Sequence, residues 1–325
     1  MTGSGLSITK WEIITGTIPP LNSEDWQKAF EQYQKTPQYQ KLNEGMPIKA
    51  FKKIYFWEYL HRLWARGMGF IFLLPLMFFL YKKWIDKQLL SRLVVVFLLA
   101  AGVASFGWIM VASGLISRPW VNAYKLSVHL CLALILYVYL MWLALKYAYP
   151  NYRISNGSKT LFCFLLLIGL QIGLGGLMSG MKAALVYPTF PDYSGSYIPR
   201  LLLDTDSWSV DNFYDYDRSA WMPALVQVLH RTLGYILFII GCVLILRFRK
   251  HWWGLGIRWS PPFMFLLLIT QIIVGIMVLI KSISEIPVVL GVMHQAVAIL
   301  LLTIVVYLKY FDQPTDQFAG DRKEA

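Results

Sequence analysis

Seven stretches of this chain are apolar on every helical face, and short polar segments rich in lysine and arginine separate several of them. They run near residues 55–81, 93–116, 123–147, 161–181, 223–246, 262–281 and 287–309. About 20 apolar residues cross a hydrocarbon core of about 30 Å as a helix. The pattern therefore predicts an all-α integral membrane protein with about seven transmembrane helices. The basic segments KKWIDKQLLSR (82–92), KYAYPNYRISNGSK (146–159) and RFRKHWWGLGIR (247–258) belong in the cytoplasm by the positive-inside rule. The alternate segments then face outward. These include the polar first 50 residues and the stretch 187–219, which carries Asp192, Asp204, Asp206, Asp211, Asp215 and Asp217 among tyrosines and prolines.

The helices repeat. YLHRLWARGMGFIF around His61 returns as VLHRTLGYILFI around His230, an offset of 230 − 61 = 169. FGWIMVASGLISRP, with Met110, resembles VGIMVLIKSISEIP, with Met277, at 277 − 110 = 167. VHLCLALILY around His129 resembles MHQAVAILLL around His294, at 294 − 129 = 165. Three matches in one order and one direction predict a parallel internal duplication into two pseudo-symmetric four-helix bundles. The expected division is an N-terminal half at 1–150 and a C-terminal half at 151–325. The helix containing QIGLGGLMSG precedes the LHR helix of the second half, and its counterpart would begin before residue 1. The expectation is that the chain lacks most of that first helix.

Composition supports this picture. The 325 residues are 57% hydrophobic and 15% charged, with a mean hydropathy of +0.51. A soluble globular domain has a different balance. The net charge of +12 sits mostly in the short loops, where it sets topology, so nucleic acid is not an expected partner. Cys131, Cys163 and Cys242 lie inside apolar spans without CxxC spacing, as core residues would. The opening residues read as neither a signal peptide nor an Arg-rich presequence, and the expectation is a bacterial inner membrane.

Of five histidines, His251 falls in a basic loop and is expected to be solvated. His61, His129, His230 and His294 each lie six to eight residues inside a span, at the outer end. Each half thus places two imidazoles from different helices at one depth. A hydrogen-bonded interior histidine is the simplest reading of one such residue, but two facing imidazoles in each bundle suit a metal-centred planar cofactor, best a bis-histidine heme. Zinc would want further ligands, and only Glu58 is near. Arg62 and Arg231, each following a histidine, either meet heme propionates or snorkel to the interface. Glu58 lies three residues before His61 on nearly the same face, whereas Gln227 lies three before His230. A carboxylate can exchange protons and an amide cannot. This makes the first half the reaction site and the second an electron-transfer or structural heme site. A plain Glu58–Arg62 ion pair is the alternative.

These residues carry a resemblance. The segments TGSGLS, WEIITGTIPPLN (11–22), EYLHR (58–62), SGLISRPWVNAYKLSVHL (113–130), GGLMSG (175–180), LVQVLHRTLGY (225–235) and GVMHQAVA (291–298) are similar to those of the heme A synthase family and run through nearly the whole chain. The resemblance implies an oxidoreductase that converts the C8 methyl of heme O to a formyl group with oxygen from water, its product destined for cytochrome oxidase. It implies that His61 and His129 flank the heme O iron, that Glu58 assists the oxidation, and that His230 and His294 ligate a heme B cofactor. Heme O synthase and an electron acceptor would be partners, with membrane lipid around the chain and self-association left open. The outer-loop cysteine pair of some members is absent. Two other classes stay open: a diheme b-type cytochrome that only carries electrons, and a transporter, which would place its polar groups near the midplane instead.

Overall fold

The structure is a computed structural model, and it describes residues 4–9, 18–114, 119–149, 158–255 and 257–312. Most of WEIITGTIPPLN, the LISR stretch at 115–118 and much of the basic segment at 146–159 lie outside the described residues. Eleven α-helices occur among the described residues: α1 (Ser23–Gln34), α2 (Pro37–Leu42), α3 (Ile48–Tyr81), α4 (Lys87–Gly114), α5 (Ala123–Ala148), α6 (Lys159–Gly180), α7 (Arg200–Leu203), α8 (Asp211–Tyr214), α9 (Trp221–Gly254), α10 (Ser260–Lys281) and α11 (Val288–Phe311). Seven of them, α3 to α6 and α9 to α11, are long and apolar enough to cross a membrane. The chain divides into two compact units, Met1–Ala133 and Leu134–Ala325, and the division falls within α5.

In the first unit, α3 starts at residue 48 rather than near 55. Its 34 residues extend about 51 Å at 1.5 Å per residue, well beyond a hydrocarbon core of about 30 Å. The extra turns form the floor of a small aromatic core. Phe51 of α3 is fully buried with Tyr33 of α1, and the two rings stack at 5.1 Å. Phe30, Trp26, Tyr39 and Tyr55 pack around them. Local capping builds the two short helices: Asn22 Oδ1 accepts the Asp25 N–H at 2.8 Å, and Thr36 Oγ1 accepts that of Tyr39 at 3.3 Å, with Pro37 preset for the first turn. Further along α3, Phe70, Ile71, Leu74 and Met77 are exposed, as lipid-facing side chains need no protein cover.

In the second unit, α6, α9, α10 and α11 pack through Phe164, Ile168, Leu237, Leu244, Leu268 and Val305, all buried. Gly241 lets α9 approach α10, since a Cβ there would stand 2.6 Å from Leu268 Cδ1. The C-terminal part of α5 joins α11 through a Tyr137–Thr303 hydroxyl contact of 2.7 Å and the edge-to-face pair Trp142–Tyr310. At the end of α11, buried Asp312 accepts the Ser158 N–H at 2.6 Å ahead of α6. Its other oxygen lies 3.7 Å from His251 Nε2. His251 is therefore not a freely solvated loop residue: α9 continues as a helix through RFRKHWWG, and the basic residues near its end suit the negative pole of the helix dipole. Cys163, expected in the core, is exposed on α6, while Cys131 and Cys242 are half-buried; all three are free thiols.

Candidate functional site

The second unit brings two of the four intramembrane histidines face to face. His230 on α9 and His294 on α11 have ring centres 6.3 Å apart, with planes inclined at 66°. Two metal–nitrogen bonds of about 2 Å, with about 1 Å from each nitrogen to its ring centre, span roughly 6 Å. The pair thus stands at the separation two axial ligands of one metal require. Nδ1 of each ring is buried, and the backbone of Gln171 and of Gln271 interacts with the His230 and His294 rings respectively. Glycines on neighbouring helices seat the rings. A Cβ at Gly275 of α10 would come within 2.8 Å of His294 Cε1, and one at Gly175 of α6 within 3.5 Å of His230 Cε1.

Two glutamines reach the same rings. Gln271 Nε2 lies 3.2 Å from His294 Nε2, and Gln171 Nε2 lies 3.4 Å from His230 Nε2 while donating to the His230 carbonyl at 3.0 Å. Sequence reasoning passed over both, because a lone glutamine in an apolar span carries no signal until its neighbour is known. The glycines escaped for the same reason.

The first unit holds the other pair. His129 on α5 sits against Gly107 of α4, where a Cβ would come within 3.1 Å of its Cε1; its Nδ1 is likewise buried, and the ring interacts with the Val103 backbone. His61 on α3 is exposed and lies close enough to His129 for their charges to interact. Gly107 and Gly275 are 275 − 107 = 168 residues apart, the spacing of the repeat, so the glycine seat recurs with the histidine it serves. That recurrence is compatible with an internal duplication.

Both His-Arg dipeptides use the arginine alike. Arg62 Nη2 donates to the Ile8 carbonyl at 3.1 Å, and Arg231 Nη2 to the Tyr187 carbonyl, also at 3.1 Å. Neither arginine merely snorkels. Arg231 further donates to the carbonyls of Thr189 and Asp192 and lies over the Tyr193 ring at 4.1 Å, binding the outer segment to α9. The units part at the residue three before the histidine. Glu58 Oε1 accepts the Arg62 Nε–H at 2.8 Å, with both residues buried. Gln227 donates instead to the Tyr187 carbonyl at 3.0 Å, leaving Arg231 Nε buried and without a partner among the described residues. Glu58 is thus both an ion-pair partner and a carboxylate one helical turn from His61, so the two sequence-level readings of it are compatible.

Among the described residues no three His, Cys, Asp or Glu side chains gather as a metal cage. A zinc site would want such a set. A planar macrocycle brings its own four equatorial donors and needs only two axial imidazoles, which is what His230 and His294 offer. Seven membrane-crossing helices, two of which bring imidazoles face to face, define a multi-pass membrane protein. A family model described as "Cytochrome oxidase assembly protein" matches residues 1–306, and the chain belongs to that family. Its relatives include the heme A synthase of Nitrosospira multiformis, 36% identical over 316 residues that cover 95% of this chain and 86% of that protein. The heme A synthase of Mesorhizobium japonicum is 38% identical over 305 residues, covering 93% and 81%. That of Flavobacterium psychrophilum is 33% identical over 318 residues, covering 94% and 89%. No solved structure matches the chain.

Proposed function

We propose that this chain is a heme A synthase, an oxidoreductase that converts the C8 methyl of heme O to a formyl group and supplies heme A for cytochrome oxidase. The observation that carries the division of labour is the buried Glu58–Arg62 pair at 2.8 Å, one turn from His61, where the second unit has neutral Gln227. The overall change is R–CH3 + H2O → R–CHO + 4 H+ + 4 e−, with the electrons passing to an external acceptor. A group that accepts protons is therefore needed beside the substrate. In this reading Glu58 is that group, and Arg62, which donates to its Oε1, aims it. In this reading His61 and His129 hold the heme O iron, and the exposure of His61 suits a site that substrate must enter and product must leave.

His230 and His294 are the residues that would hold heme B, which supplies one-electron redox chemistry when bound. Their helices orient the rings through the glycine seats and exclude water with an apolar surround. The chain would lie in the cell inner membrane with both heme sites toward the outer face, since basic loops flank the opposite ends of the spans. Expected partners are heme O synthase upstream and an electron acceptor. Pigment analysis of paired variants tests the assignment. His230→Ala and His294→Ala should each lose heme B. His61→Ala and His129→Ala should keep heme B and lose bound heme O and its oxidised forms. Loss of heme B from the second pair of variants would overturn the assignment.

A further inference from the structure

We infer that the outer segment 197–217, folded onto the start of α9, is the docking surface for a basic, water-soluble one-electron carrier protein that collects the electrons released by the reaction. The inference rests on the assignment of heme B to His230 and His294, and it names the class of acceptor that the reaction needs.

The segment is fixed in place. Ser207 Oγ donates to the Leu201 and Asp204 carbonyls at 2.8 and 2.7 Å, Trp208 Nε1 to the Leu202 carbonyl at 3.2 Å, and Asn212 Nδ2 to the Ser207 carbonyl at 2.8 Å. Trp208 and Phe213 pack on buried Trp221, the first residue of α9, with ring centres 5.1 and 5.7 Å away. Just before the segment in the chain, the carbonyls of Tyr187, Thr189 and Asp192 are held by Arg231. His230 is next to that arginine and lies 230 − 221 = 9 residues along α9 from Trp221, about 14 Å at 1.5 Å per residue.

Despite this order, the segment turns large apolar side chains outward. Tyr197 is 81% exposed, Val210 69%, Leu203 63% and Trp208 59%. Exposed apolar side chains gathered on one short segment and rimmed by polar residues mark an interaction site. The rim here is acidic, with Asp204, Asp206, Asp211 and Asp217 all exposed. Residues 187–219 hold six aspartates against Arg200 and Arg218, a charge of −6 + 2 = −4 in a chain of +12. Anionic lipid headgroups repel such a segment, whereas a basic protein is drawn to it. Aromatic anchors inside a charged rim suit protein docking, and a surface that is already fixed loses little freedom on binding.

The chemistry asks for such a partner. Conversion of the methyl to the formyl group releases four electrons and four protons. A one-electron carrier takes one electron at a time, so four oxidised carriers leave reduced for each product formed, and the protons pass to water. Repeated visits require quick release, which the small, weak interfaces of redox encounters provide.

The test uses the full chain, purified with its pigments in lipid nanodiscs, and basic mitochondrial-type cytochrome c as the probe. Surface plasmon resonance at rising ionic strength and stopped-flow reoxidation of the prereduced heme are the readouts. The native chain should bind oxidised cytochrome c at low salt, lose that binding as salt screens the charges, and be reoxidised at a rate that follows binding. The combined variant Asp204→Asn, Asp206→Asn, Asp211→Asn, Asp217→Asn should keep its heme spectrum and slow association by about 10-fold or more. The pair Tyr197→Ser and Val210→Ser should instead speed dissociation by about 5-fold or more. Unaltered association in the combined aspartate variant would overturn the inference, and a changed oligomeric mass in that variant would then assign the surface to a second copy of the chain. Binding that salt does not weaken would overturn it as well. So would hydroxyl-radical footprinting that leaves Tyr197 and Val210 unlabelled in the nanodisc before the probe is added, which would make the segment a membrane-surface element. Heme B that persists in His230→Ala and His294→Ala would instead remove the underlying assignment, whatever the carrier does.

Discussion

Adding one methyl group at each of three glycines should displace the histidine rings proposed to hold iron, in a graded order. A Cβ would stand 2.8 Å from His294 Cε1 at Gly275, 3.1 Å from His129 Cε1 at Gly107, and 3.5 Å from His230 Cε1 at Gly175. Ordinary van der Waals contact begins near 3.4 Å, so the rings must retreat by about 0.6 Å, about 0.3 Å and not at all. Metal–nitrogen distances hold within about 0.2 Å. Gly275→Ala should therefore break or badly strain one axial bond, at the overpacking cost of about 1–3 kcal/mol, or roughly 5- to 150-fold in heme B affinity. Gly175→Ala should leave heme B in place. Gly107→Ala should spare heme B and weaken retention of heme O. Gly241→Ala is the control: its Cβ would meet the flexible Leu268 end at 2.6 Å, so it should lower stability without altering the heme spectrum. Heme content per protein and the low-spin absorption spectrum decide the matter. Full heme B in Gly275→Ala, or equal loss in Gly175→Ala, would refute the seating argument.

Three further outcomes follow from the regions outside the bundles and at their ends. Arg231→Ala removes the contacts to the Tyr187, Thr189 and Asp192 carbonyls, and the outer segment should become markedly more sensitive to limited proteolysis, by of order 3 kcal/mol of local stability. Asp312→Ala leaves the Ser158 N–H without its acceptor and should lower thermal stability by about 1–3 kcal/mol, read as a reduced Tm in detergent. Burial holds the phenols of Tyr33 and Tyr193 above their ordinary value, against the opposing effects of Asn43 and Arg231. A raised native value means the fold holds the proton more tightly than the unfolded chain. That stability is complete below about pH 10 and is lost as pH rises through the folded values. Phenolate absorbance should show both groups titrating late, and Tyr33→Phe should remove one of them.

The seven spans were legible because twenty-residue apolar runs have few other uses, and their centres agree with the helices. Their ends were less so. Hydropathy saw only the lipid-height part of α3 and missed the turns that floor the aromatic core, since α1 and α2 are too short to announce themselves without partners. The repeated LHR tripeptides and the Glu58/Gln227 contrast were readable because they are local. What sequence could not show was pairing between distant segments. Asp312 meets Ser158 and His251, Arg231 binds the carbonyls of Tyr187, Thr189 and Asp192, and two glutamines on other helices meet their histidines.

The most direct test of the central claim is the pigment composition of the protein co-expressed with a heme O source, native against Glu58→Gln. The amide keeps the size of the side chain and cannot take protons, so the variant should retain heme B and accumulate unreacted heme O, while the native protein yields heme A or its alcohol precursor. Heme B alone in both proteins, unaltered by the substitution, would contradict the account and make the chain a diheme electron carrier.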